Sequence, residues 1–224
     1  MFFKLIFSLS FVFIATLVQA ETEEDGAFWF NINAQGKLPM DGFNWYAEVQ
    51  PRWRQEGKHL DASILRPAIY YDINQNASLW LGYANIRFHP TGRASREENR
   101  LWQQFLYKFQ PFSDISLLSR TRLEQRHFEN ASDTGHRLRQ LFRITIPIES
   151  SAYSLVLWDE YFIHLNDTDW GAVRGFDQNR AFVGVNAKLD KQTSLELGYL
   201  NQYVNARNVD KENHVFSTTL NLLF

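Results

Sequence analysis

Polar and apolar positions alternate along most of this chain, most clearly in residues 116–145. Ser119-Arg120-Thr121-Arg122-Leu123-Glu124-Gln125-Arg126 alternates strictly, and Arg137-Leu138-Arg139-Gln140-Leu141-Phe142-Arg143-Ile144 does the same. A strand turns successive side chains to opposite faces. Arg120, Arg122, Glu124 and Arg126 therefore share one face, and Arg137, Arg139 and Arg143 share one face of the next strand. The opposite faces carry Leu117, Thr121, Leu123, Leu138, Phe142 and Ile146. Arginine on the concave side and hydrocarbon on the other is hard to place in a soluble core. It is natural in a barrel whose outside touches lipid.

The same period predicts strands over 27–35, 43–54, 63–73, 77–88, 98–109, 114–128, 136–147, 153–165, 176–189, 193–204 and 213–224. Pro51 marks a bulge or strand end, because proline cannot donate to a ladder. Connections alternate between short (74–76, 110–113, 148–152, 190–192) and long (89–97, 129–135, 166–175, 205–212). Short periplasmic turns and longer outer loops are the pattern of outer-membrane barrels. The final strand alternates through Phe216, Thr218, Leu220 and Leu222 and ends in Phe224, which resembles the insertion signal read by the barrel-assembly machinery. Bacterial barrels have even strand numbers, and a strand over 27–35 would start outside the cell. The expectation is an all-β, antiparallel up-and-down transmembrane β-barrel of about 10 strands, with 12 as the alternative. A soluble β-sandwich or lipocalin-like barrel is the competing architecture.

Met1-Phe2-Phe3-Lys4, an apolar run to Val18 and Val18-Gln19-Ala20 read as a secretory signal peptide over 1–20. That leaves 21–224 as a single outer-membrane domain. The chain has no cysteine, so disulfides, thiol catalysis and thiolate metal sites are excluded. A net charge of −2 suggests no nucleic-acid partner. Aromatics reach 16%, and Trp45, Trp53, Tyr71, Tyr107, Tyr153 and Tyr199 fall toward strand ends on outward faces, as interface anchors do.

Taking the face and depth of each strand together gives a lumen charge network of Glu48, Arg52, Arg66, Arg100, Arg120, Arg122, Glu124, Arg126, Arg137, Arg139, Arg143, Glu160 and Arg180. Arg54, Arg87 and Glu98 are also assigned inward. Arg126, Arg137 and Arg139 fall at the outer mouth, and Arg120 and Arg143 deeper. Glu160 is expected opposite Arg180, and Glu124 opposite Arg139. Buried charge is tolerable when paired, so a ladder filling a narrow lumen is the first reading. The arginine surplus keeps two others open: a basic mouth meeting lipopolysaccharide phosphates, and a small anion-preferring channel.

A lipid-modifying hydrolase is the remaining alternative. Of His59, His89, His127, His136, His164 and His214, most lie in or beside the presumed outer loops, with Ser95, Ser132 and Asp133. No G-x-S-x-G elbow or metal signature is present, so neither catalytic residues nor a metal or cofactor are assigned. Adjacent Asp159 and Glu160 face opposite sides, with Asp159 expected near an interface.

The segments Arg66-Pro67-Ala68-Ile69-Tyr70-Tyr71, Leu81-Gly82-Tyr83-Ala84, Glu98-Asn99-Arg100-Leu101-Trp102-Gln103-Gln104, 119–126, Trp158-Asp159-Glu160, Phe176-Asp177-Gln178-Asn179-Arg180 and Gly198-Tyr199-Leu200-Asn201-Gln202 together resemble the uncharacterised bacterial family known as domain of unknown function 2490. The resemblance implies an outer-membrane-type barrel and brings no activity, substrate or catalytic residue. The resulting expectation is a monomer in the outer membrane of a Gram-negative bacterium, with outer-membrane lipid and lipopolysaccharide as its surroundings.

Overall fold

Each alternating strand carries two hydrogen-bonding edges, and closing the sheet into a ring satisfies them all. The computed structural model describes residues 22–110 and 114–224, so the signal peptide read over 1–20 lies outside the described residues. The ring is a closed barrel of eleven strands. They are β1 (Thr22–Lys37), β2 (Phe43–Arg54), β3 (His59–Asp72), β4 (Ala77–Phe88), β5 (Arg96–Lys108), β6 (Ser116–Phe128), β7 (Thr134–Pro147), β8 (Tyr153–His164), β9 (Gly175–Lys188), β10 (Thr193–Val204) and β11 (Asp210–Leu223).

Neither ten nor twelve strands is correct. The segment read over 27–35 is part of a 16-residue β1. It pairs antiparallel with β2 and parallel with β11, from Thr22 opposite Asp210 to Gln35 opposite Leu223. Strands that alternate in direction bring first and last together in parallel whenever their number is odd. Without β1, β2 and β11 would each leave an unpaired edge.

One end of the barrel, here the loop end, carries the connections 55–58, 89–95, 129–133, 165–174 and 205–209 and the start of β1. The turn end carries 38–42, 73–76, 148–152 and 189–192, the end of β5, the start of β6 and the end of β11. Several strands run further than the sequence pattern indicated, so the loops are shorter and the contrast between ends smaller. At the turn end, the backbone N–H groups of Gln192 and Thr193 both donate to Asp190 at 2.7 Å. The Gln192 N–H first of all holds this carboxyl below its usual range. The Phe224 N–H donates to the Gln35 carbonyl at 2.9 Å, and its ring stacks on Trp45 with centroids 5.8 Å apart.

Pro51 sits where the strand is irregular. The β2–β3 register shifts between Arg52 and Trp53, and the β1–β2 ladder skips from Arg52 to Val49. The missing proline N–H is accommodated at that break.

The outward face is largely hydrocarbon. Val49, Leu65, Ile69, Leu79, Leu81, Leu101, Phe105, Phe142, Val183, Val185 and Phe216 are all at least 40% exposed. Polar groups interrupt it over β5–β9, and there they bond to one another. Gln103 and Gln125 exchange bonds at 3.0 and 3.1 Å, and Thr121 donates to Gln140 at 2.6 Å. Asp159 accepts from Asn179 at 2.9 Å. It pairs with Phe142 and Ala181 halfway along β8, not near an interface as its sequence position suggested.

Two apolar clusters fill part of the lumen. One joins Ala27, Trp29, Val156, Phe182, Leu200 and Val215; the other joins Ala62, Ile64, Ala68, Ala84, Ile86 and Trp102. Trp102 has no solvent exposure and lies over Gly82, where a Cβ would stand 2.2 Å from its Cζ2 atom. Only glycine leaves room for that ring.

Candidate functional site

The strict alternation of β6 and β7 aims their arginines inward, and neighbouring strands supply the carboxylates. Glu98, fully buried on β5, accepts from Arg100 Nε and Arg126 Nε, both at 2.6 Å. Glu124 accepts from Arg137 Nη2 and Arg139 Nη1, both at 2.6 Å. Glu160 accepts from Arg139 Nε at 2.9 Å and Arg120 Nη2 at 2.8 Å. Glu48 accepts from Arg66 at 2.5 Å and from the Tyr46 hydroxyl at 2.8 Å. Two further bridges span greater gaps. Arg143 on β7 reaches Glu196 on β10 at 2.5 Å, and Arg137 reaches Asp177 on β9 at 2.7 Å. Single side chains therefore bond across the lumen between strands that are not neighbours.

Such pairs lose hydration on both sides, and only short, multiple hydrogen bonds offset that cost. Here the carboxylates are shared. Glu98, Glu124 and Glu160 each serve two arginines at hydrogen-bond distance, which ties β5, β6, β7 and β8 into one block.

The register places Glu160 opposite Arg180, as the strand pattern indicated, but no ion pair forms between them. Glu160 is taken instead by the longer reach of Arg139 and Arg120. Glu124 lies opposite Arg137, one pair away from Arg139, and bonds both. Arg126, Arg137 and Arg139 line a cavity of about 270 Å³ at the loop end, and Arg120 and Arg143 are absent from its lining. Arg54 is at the rim of that cavity, paired with Asp25 and Asp61 at 3.1 and 3.3 Å. Arg87, assigned inward, points outward and pairs with Glu97 on the exterior. The alternation of exposed Leu79, Leu81 and Tyr83 carries that face outward through Arg87.

Glu196 and Asp177 were missed. Glu196 was legible, because Leu195, Leu197 and Tyr199 set the outward face of β10. Asp177 was not, because a register shift between Phe162 and Ile163 turns it inward.

The inventory leaves a positive excess. Among the described residues, Arg52, Arg122 and Arg180 point inward with no carboxylate in ion-pair range. Arg52 donates to the neutral Gln50 at 2.6 Å and lies 3.8 Å over the Trp29 ring. Arg122 donates to Gln104 at 2.6 Å and lies 4.1 Å over Trp102. Arg180 leaves its buried Nε without a hydrogen-bond partner, and its guanidinium rests against the rings of Trp29 and Phe162, at 5.0 and 4.7 Å.

Of the loop-end histidines, His89 comes nearest to a catalytic arrangement. Its Nε2 is 3.3 Å from Ser63 Oγ, but its Nδ1 meets the Ser95 hydroxyl at 3.4 Å where a triad would place a carboxylate. His164 is buried beside Asp177 at 3.3 Å, inside the barrel. No cluster of three metal-ligating side chains occurs among the described residues.

Residues 26–213 match a family model described as protein of unknown function, DUF2490. An uncharacterized protein of Methylorubrum extorquens is 38% identical over 200 residues, covering 88% of this chain and 87% of its own length. No solved structure matches.

Proposed function

This chain belongs to the DUF2490 family, and from that premise and the build of the barrel we propose that it is an outer-membrane protein whose lumen is closed to ion flow by its arginine–glutamate network. The observation that carries the reading is the inversion of the usual pattern. The wall that faces out is largely hydrocarbon, and most of the charged side chains of the strands are buried within. Transmembrane barrels alternate apolar-out and polar-in, and closure leaves no backbone group for lipid to strand. The paired outward Gln and Asn side chains fit the same demand, since each finds its partner within the wall.

Short turns lie on the periplasmic side of such barrels and the longest connection, 165–174, lies at the loop end, so the turn end faces the periplasm and the loop end faces out. The start of β1 then reaches the outer rim beside the start of β11, carried there as the ring closes. The lumen at the loop end becomes a basic recess open to the cell exterior. Crossing it requires passing the Glu98, Glu124 and Glu160 block, which offers bonded side chains where a porin offers water.

Membrane fractionation combined with gel mobility tests the location. The protein should sediment with outer membranes and show a heat-modifiable gel shift. Recovery in the soluble periplasmic fraction, with no shift on heating, would overturn the reading.

A further inference from the structure

We propose that the loop-end cavity is a binding site for a phosphate-bearing ligand, held between Arg52 and Arg180 above the Trp29 ring. The proposal goes beyond the reading of a closed lumen; its test in vesicles rests on the membrane reading, whose failure shows separately as the absence of a gel shift. Arg180 is nine-tenths buried, lines the cavity, and leaves its Nε without an acceptor. Arg52 lines the same space and bonds only a neutral amide. A desolvated guanidinium without an acceptor is costly, and an anion removes the cost.

The surrounding charges cannot supply that anion. Asp177 is held by Arg137 and His164, and Asp61 by Arg54. Glu160, nearest to Arg180 in the register, is committed to Arg139 and Arg120.

Two uncompensated cations select for a compact dianion. A phosphomonoester carries about −1.5 to −2 at neutral pH and offers three acceptor oxygens. The guanidinium fork matches phosphate oxygens in pairs. The volume, about 270 Å³, holds a phosphate together with a small attached group. Trp29 supplies a flat apolar surface for that group.

Two sources share this chemistry: a free phosphate compound and a lipid phosphate headgroup entering from the rim. The test uses the folded protein in zwitterionic vesicles, with folding certified by the gel shift. One arm titrates radiolabelled inorganic phosphate at constant ionic strength. The other dopes the vesicles with phosphatidic acid and reads the fluorescence difference between wild type and Trp29→Phe. Saturable binding in the first arm identifies a free phosphate ligand, and a response confined to the second identifies a headgroup. Arg180→Gln and Arg52→Gln should each weaken binding by about tenfold or more. Arg180→Lys keeps the charge and safeguards folding but loses the fork, so it should also bind more weakly. The exterior Arg87→Gln removes the same charge and should bind as wild type. No saturable binding in either arm, or wild-type affinity in the Arg180 and Arg52 variants, overturns the proposal.

Discussion

Removing Glu160 tests the network at one of its shared carboxylates. Glu160 Oε1 holds Arg120 at 2.8 Å and Arg139 at 2.8 Å, and it is 2% exposed. In Glu160→Ala, Arg139 keeps Glu124 at 2.6 Å, but Arg120 loses its one carboxylate. Breaking a buried pair from one side costs roughly 3–5 kcal/mol. The Arg120 side chain is 24% exposed, so water recovers part of the loss and the expected cost is near the low end, about 3 kcal/mol. Urea unfolding of the vesicle-folded protein, scored by the heat-modifiable gel shift, measures it. The exterior pair provides the control. Glu97→Ala removes the exterior partner of Arg87 and should leave the unfolding midpoint close to that of the wild type. Adding Arg120→Ala to Glu160→Ala should recover part of the loss, because the stranded cation is gone. An unchanged unfolding midpoint for Glu160→Ala, or no recovery in the double variant, would refute the reasoning.

Other expectations are as direct. Leu81→Arg, midway along the outward face of β4, should destabilise a lipid-facing wall by about 2–4 kcal/mol. On a water-facing wall the change would stay within about 0.5 kcal/mol, so the folding free energy in vesicles discriminates. Gly82→Ala should lower stability measurably in the same urea titration, because the new methyl meets the Trp102 ring at 2.2 Å from Cζ2. The absence of cysteine makes orientation easy to map. A cysteine placed at Glu24 should react with an impermeant maleimide on intact cells, and one at Lys191 only after permeabilisation. Lipid A mass spectra from cells with and without the protein should be identical, since His89 Nδ1 meets the Ser95 hydroxyl in place of a carboxylate; a changed spectrum abolished by Ser63→Ala would make the loop-end dyad catalytic.

The inward and outward faces were legible because a period of two is unambiguous over ten or more residues. Residues 119–126 and 137–144 alternate strictly, and their burial alternates with the same period. Arg87 faces outward because Leu79, Leu81 and Tyr83 set its face, and charge alone does not override that period. β1 alternates through Phe28, Phe30 and Ile32 as well as any strand, but its closure onto β11 is a long-range property that no local pattern carries. Partner choice was similarly out of reach. Register brought Glu160 opposite Arg180, but arginine is long enough to reach past its direct neighbour. The bulge that turns Asp177 inward leaves no mark in composition. The unpaired state of Arg180 emerges only after every other carboxylate has been assigned.

A lipid-facing wall around a lumen shut by ion pairs should pass no ions, and ion flux through proteoliposomes tests this most directly. Vesicles carrying the heat-modifiable protein, recovered by flotation, should release trapped ions no faster than empty vesicles. Large, steady and weakly selective conductance from the same vesicles would contradict it.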